Sequence, residues 1–324
     1  MMVKTRKQPC AEIRSAVGAF GEVLLARAEA GYNDFGFVTS DTVGEDSPYG
    51  QLIRKFPSQA VDVGIAESDQ VGVSAGMSLG GEQIVFSKGF GIFLAQRAAD
   101  QINVDICYNH LPVRLITDHC GVTAAGGPTH NMVNDLAITR AFPGLTIVSP
   151  ADAIEAKRIA EMSFDYPGPM YIRFSKGIDP LIYQTEDYPL EIGKAVTLRK
   201  GKDITLIGMG ISVSWVLQAA DILENAGIGV TVLNMHTVKP LDREAVLAAA
   251  ENTKGIVTVE DHSVIGGLGS AVAELLSECG MHTRMYKVAF PDIYMPPETI
   301  EQTYRRYGIT PEDIAKKAIE IINQ

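Results

Sequence analysis

Val61-Asp62-Val63-Gly64-Ile65-Ala66-Glu67 is an apolar run that ends in a carboxylate, and a helical pattern opens immediately after it at Ser68. A short apolar strand feeding a helix is the unit from which helix-covered parallel sheets are built. Taken alone, Glu67 reads as a helix N-terminal charge favoured by the macrodipole. The residues that follow add a second possibility. Gly72, Ala75, Gly76, Gly80 and Gly81 permit close packing of a helix on a sheet, and Phe86, Phe90 and Phe93 then present rings at spacings of four and three. A carboxylate desolvated among such rings can share a proton with the nitrogen of a flat heteroaromatic base. Each phenylalanine by itself would read as plain core.

Outward from this stretch, strand-like and helix-like runs alternate. Strands are expected at Gly36–Thr39, Ala60–Val63, Gln83–Phe86, Val113–Thr117, Thr146–Ser149 and Met170–Phe174, with helices at Ile13–Ala30, Ser68–Leu79, Ile92–Ile106 and Ala153–Ser163. The stretch Gly177–Gly193, with Pro180, Tyr188 and Pro189, has little periodicity and reads as a linker. A second series follows: strands at Ile204–Gly208, Gly229–Asn234, Gly255–Glu260 and His282–Ala289, and helices at Ser212–Ala226, Asp242–Asn252, Leu268–Cys279 and Pro311–Asn323. The expected fold class is α/β, as two domains that are each a mostly parallel sheet flanked by helices. They span residues 10–178 and 194–324, joined by 179–193, and active groups should lie at the carboxyl ends of strands.

Size and charge agree with this division. A chain of 324 residues is comfortable for two domains of roughly 150 residues. Hydrophobic residues make up 46% and charged residues 21%, which excludes a disordered chain. No apolar run approaches the roughly 18 residues that span a bilayer, so a cytoplasmic protein is expected. A net charge of −11 without a basic patch makes nucleic acid and anionic membranes poor partners. Cys10, Cys107, Cys120 and Cys279 lack metal-site spacing and read as reduced thiols.

The run from Val61 to Asp152 resembles the pyrimidine-binding domain of transketolases and of deoxyxylulose-phosphate synthases. The matching stretches are Gly64-Ile-Ala-Glu67, Phe93-Leu94 leading into Arg97-Ala98-Ala99-Asp100-Gln101, Gly127-Pro-Thr-His130, and Pro143-Gly-Leu-Thr-Ile-Val-Ser-Pro150-Ala-Asp152. Glu260-Asp-His-Ser-Val-Ile-Gly-Gly-Leu-Gly-Ser270 is similar to the C-terminal domain of the same families. The resemblance implies thiamine diphosphate as cofactor, with Glu67 bonding N1′ of its aminopyrimidine and so favouring the tautomer whose exocyclic nitrogen removes the thiazolium C2 proton. It implies Phe90 and Phe93 against the pyrimidine face, with Phe86 as a third ring. By the same resemblance His130 is catalytic and handles substrate hydroxyls, and Arg173 clamps a substrate phosphate, a task suited to a rigid guanidinium fork. His119 and Asn131 are expected to line the substrate site. The competing account of His130 is an ordinary loop histidine, and that of Arg173 a strand-end ion pair.

The pattern also departs from the family. Gly126 stands where an aspartate is usual and Asn131 where glutamine is frequent, His119 falls where the synthases place an arginine, and Arg14 is off register for a phosphate-binding arginine. No Gly-Asp-Gly occurs anywhere in the chain. In the resembling enzymes that motif holds Mg²⁺ against the diphosphate, so a second subunit is expected to supply the metal site and this chain none. The implied assembly is two copies of each chain around a two-fold axis, with the cofactor across the interface. The implied transferase activity moves a two-carbon ketol unit from a ketose phosphate to an aldose. The β subunit of the decarboxylating component of a 2-oxoacid dehydrogenase and a non-catalytic assembly subunit stand as alternatives. Gly208-Met-Gly210 and Gly266-Gly-Leu-Gly269 fall short of a nucleotide fingerprint and read as tight packing, and His236 and His262 as structural.

Overall fold

Runs that stay apolar without alternating can be buried on both faces, as the centre of a parallel sheet requires. Strands β1 (Phe35–Thr39), β3 (Ile84–Phe90), β4 (Val113–Asp118) and β6 (Met170–Arg173) are buried along almost their whole length, the polar Ser87, Lys88, Arg114 and Arg173 included. In the computed structural model, which describes residues 3–6, 12–81, 84–123, 127–176 and 179–323, they form the middle of a seven-stranded sheet. Its order is β10-β5-β6-β4-β3-β1-β2, where β2 is Ala60–Asp62, β5 is Thr146–Val148 and β10 is Thr237–Lys239. Only β10 runs antiparallel.

Helices Ala16–Glu29, Pro48–Lys55 and Ala153–Ser163 cover one face over a core containing Phe20, Phe35, Phe86 and Phe164. Helix Glu67–Gly81 and the segment 92–107 cover the other. The caps follow the sequence: Ser15 accepts from the Gly18 amide, and Asp152 from those of Ile154 and Glu155. Segment 92–107, where one regular helix was expected over Ile92–Ile106, consists of wide π-type turns at Ile92–Arg97 and Ile102–Cys107 around a single α turn. Such widened turns are frequent at functional sites. The glycines of helix Glu67–Gly81 also differ from expectation. A Cβ at Gly72, Gly76 or Gly80 would meet nothing within 4 Å, so these positions face outward while Val71, Ser74, Ala75 and Ser78 are the buried ones.

The second sheet has the order β12-β11-β8-β9-β7, with β7 (Val196–Arg199) antiparallel to β9 (Val230–Asn234) and the rest parallel. Here β8 is Ile204–Gly208, β11 is Gly255–Ser263 and β12 is Arg284–Phe290. Helices Ser212–Asn225 and Pro311–Ile322 pack on one face, and Arg243–Asn252 and Leu268–Glu278 on the other. The architecture is therefore two α/β units with mostly parallel sheets.

The units are not separate cores. After β9 the chain crosses to the first sheet, where Thr237 pairs with Val148 and Lys239 with Ile147, and one apolar cluster runs from Leu115 and Ile147 through Leu233 to Leu268 and Val272. The aperiodic connection is pinned rather than loose. The second oxygen of Asp152 accepts from the amides of Ile182 and Tyr183 at 2.8 and 2.9 Å. Buried Glu155 accepts from Asn234, Tyr183 and Tyr188. Cys107 and Cys120 are buried thiols, Cys279 is exposed, and Cys10 lies outside the described residues. Among the described residues no helix is long and apolar enough to cross a membrane.

Candidate active site at the carboxyl ends of the first sheet

Parallel strands deliver their C-terminal residues to one edge of a sheet, and there the loops can converge. Phe90 ends β3 in register with Asp118 at the end of β4. Glu67 opens the helix after β2, and its side chain is only 2% exposed. Arg97 donates to its Oε2 at 2.6 Å. The Phe90 and Phe93 rings stand 6.1 Å apart, inclined by 26°, and both are half-buried. The His119 ring lies 4.1 Å from that of Phe90, and the exposed His130 ring meets Phe93 edge-on at 5.6 Å. Buried Asn131 accepts from the amide and hydroxyl of Thr123, which fastens the loop that carries His130.

The sequence reading thus brings together Glu67, Phe90, Phe93, His119, His130 and Asn131. Two other expectations are corrected. Phe86 is fully buried with its ring 5.6 Å from Phe35 and 5.0 Å from Phe164. It shares the pleat direction of Phe90, but four residues at about 3.3 Å each put it about 13 Å deeper along the strand. Arg173 is 2% exposed and does not open on the cleft. Its Nε donates to Asp135 at 2.8 Å and its Nη2 to the Asp261 carbonyl at 2.8 Å, so the strand-end ion pair, not the phosphate clamp, describes it. The departure at Gly126 lies outside the described residues.

Three groups of residues escaped the sequence reading. The Lys88 ammonium lies 5.3 Å from the Phe90 ring centroid and 2.9 Å from Asp118. Burial works against the charged form of Asp118, but Lys88 and His119 together hold its carboxyl below the ordinary range. The second is the turn after β12, where Pro291, Asp292 and Tyr294 join Phe93, Arg97, Thr129 and Asn134 in lining a cleft of about 690 Å³. Pro291-Asp292 and the paired prolines Pro296 and Pro297 were the sequence signals for this turn. The third is Arg97, visible as part of a motif but without an assigned partner.

A polar cluster sits where the two units meet. Glu260, Asp261 and His262 end β11, and all are buried. Glu260 accepts from the amides of Leu268 and Gly269, so this chain's own carboxylate fills the helix N-terminus behind Gly266-Gly-Leu-Gly269. His262 accepts from the Leu136 amide, the structural role expected of it. Burial raises the carboxyls of Glu260 and Asp261 to about 7 and lowers His262 to about 4.

Comparison with known proteins identifies the family. Residues 19–179 match the model of the transketolase pyrimidine-binding domain, and 193–314 that of the transketolase C-terminal domain. An apulose-4-phosphate transketolase subunit of Phocaeicola vulgatus is 37% identical over 94% of this chain and 97% of its own length. A 6-deoxy-6-sulfo-D-fructose transketolase subunit of a Clostridium species is 37% identical over 83% of both chains. A 1-deoxy-D-xylulose-5-phosphate synthase of Trichormus variabilis is 35% identical over 93% of this chain, but this chain spans only 47% of it. Among solved structures, one described as a split gene transketolase, inactive beta4 tetramer, superposes with a TM-score of 0.85 at 33% identity, covering 96% of this chain and 99% of the other. The chain belongs to the transketolase family and, like its split relatives, carries the pyrimidine-binding and C-terminal domains.

Proposed function

We propose that this chain is one subunit of a two-subunit transketolase that transfers a two-carbon ketol unit from an anionic ketose to an aldose. The observation that carries the proposal is the buried carboxylate of Glu67, linked through Arg97 to the half-buried ring of Phe93, which neighbours that of Phe90. A charge withdrawn from water is retained at a cost unless it has work to do, and a carboxylate edge next to ring faces fits an aminopyrimidine better than a sugar. The side chains that fit the pyrimidine half of thiamine diphosphate are present, and those expected for its diphosphate and Mg²⁺ belong to the partner.

When bound, the cofactor supplies an electron sink at its thiazolium carbon. Glu67 holds a proton at the pyrimidine N1′, and Phe90 and Phe93 fix the tilt of that ring. His130, on a loop fastened by Asn131, faces the substrate hydroxyls, to which its ring nitrogens can hydrogen-bond. His119 closes the side next to Phe90. The turn 291–295 forms the far wall of the cleft, so both units contribute to substrate contact. Arg173 has no part in binding phosphate, because its guanidinium is engaged with Asp135 and Asp261.

The partner is an N-terminal transketolase subunit carrying Gly-Asp-Gly, in an assembly of two copies of each chain. Val61, Ile65 and Leu79, beside and along the helix that starts at Glu67, are exposed by 38%, 78% and 62%, apolar surface that a partner would cover. A cytoplasmic location fits sugar-phosphate chemistry. The test is calorimetric: thiamine diphosphate with Mg²⁺ should bind to the mixed subunits, and Glu67→Gln should abolish C2 proton exchange on the bound cofactor. Unchanged exchange would remove Glu67 from its role, and tight binding by the lone chain would refute the divided site.

A further inference from the structure

Arg97 makes two contacts at once. Its side chain is 52% exposed, yet Nη1 reaches the buried Glu67 Oε2 at 2.6 Å. Its Cζ stands 4.6 Å above the centroid of the Phe93 ring. A guanidinium is flat, bears hydrogen-bond donors in its plane, and stacks on aromatic faces. An aminopyrimidine bonded to Glu67 through its ring edge and lying on Phe93 has the same shape and makes the same two contacts. Van der Waals contact requires about 3.5–4 Å between stacked atoms, so one flat group can occupy that face and not two.

We propose that Arg97 is a self-ligand of the cofactor half-site: it occupies the place of the pyrimidine in the cofactor-free chain and must swing out for thiamine diphosphate to bind. The proposal rests on the assignment of Glu67 and Phe93 made above. It explains how a carboxylate exposed by only 2% remains compensated before cofactor and partner arrive. It also explains why the compensating side chain is a long one with its other face in solvent, since such a side chain can leave without disturbing the core. The widened turn Ile92–Arg97 carries both Phe93 and Arg97, so ring and guanidinium are presented together.

The experiment measures binding. Thiamine diphosphate with Mg²⁺ is titrated calorimetrically into the assembled complex containing wild-type chain, Arg97→Ala or Arg97→Gln. The pyrimidine half of thiamine, as 4-amino-5-hydroxymethyl-2-methylpyrimidine, is titrated into the same three chains alone. Both variants should bind about tenfold more tightly than wild type, equivalent to ~1.4 kcal/mol. The gain should disappear in the double variant with Glu67→Gln, which lacks the shared carboxylate charge. Equal or weaker binding by Arg97→Ala and Arg97→Gln, while the wild-type complex binds normally, overturns the self-ligand and leaves the site assignment standing. Absence of binding by wild type and variants alike overturns both. The two substitutions differ in bulk, so a folding defect in one leaves the other to decide.

Discussion

Replacing Arg173 with methionine separates the ion pair from the phosphate clamp. The methionine keeps the apolar length of the side chain and removes the charge. Asp135 is fully buried, and its Oδ2 would retain only the Tyr171 hydroxyl, 3.1 Å away. Breaking a buried ion pair by removing one partner costs about 3–5 kcal/mol, because the remaining charge stays in the interior. The Asp261 carbonyl also loses its donor, which adds ~1–2 kcal/mol. A loss of about 4–7 kcal/mol is a large share of the roughly 5–15 kcal/mol that stabilises a domain. The assay is urea unfolding of the isolated chain followed by far-ultraviolet circular dichroism. The double variant with Asp135→Asn should recover most of the loss, since both charges are then gone. A loss under about 1 kcal/mol, together with a KM raised for phosphorylated sugars alone, would refute the buried pair and restore the clamp.

Three further predictions follow from the packing. Phe86→Ala should cost about 3–5 kcal/mol of stability while leaving thiamine diphosphate affinity in the assembled complex unchanged, and Phe93→Ala should do the reverse; matched effects in the two variants would contradict the separation of the core ring Phe86 from the cleft-lining Phe93. Gly121 has φ +79°, and a Cβ there would stand 1.7 Å from the Asp261 carboxylate; Gly121→Ala should therefore destabilise by about 2–6 kcal/mol in thermal or urea unfolding. The third concerns pH. Glu260 and Asp261 have carboxyls raised to about 7 in the folded chain. Their contribution is complete below their unfolded values and fades as pH rises through 7. Between pH 6.5 and 8, where the remaining opposite effect of His236 and His262 offsets part of that loss, stability should fall by about 1 kcal/mol. Asp261→Asn should flatten that fall, and a wild-type stability that rises across the window would overturn the assignment.

The linear sequence determined the fold class and half of the site because both are written in local order. Strand-helix alternation with unbroken apolar strands has one economical solution, a parallel sheet covered by helices. That solution places strand ends, and with them Glu67, Phe90 and His130, on one edge. Strand and helix interiors were legible to within a few residues, as at Ala153–Ser163 and Ile204–Gly208. Depth was not legible. Phe86 and Phe90 sit on the same strand with the same parity, and only the neighbours supplied by Phe20, Phe35 and Phe164 make one of them core. Partner choice was not legible either. Whether Arg173 meets a phosphate or Asp135 depends on a residue 38 positions away that the sheet brings beside it. The crossing of Thr237–Lys239 into the first sheet and the place of Arg97 over Phe93 are likewise decided by long-range docking. Periodicity reports which way a side chain points, whereas contact between distant segments exists only after the chain has closed upon itself.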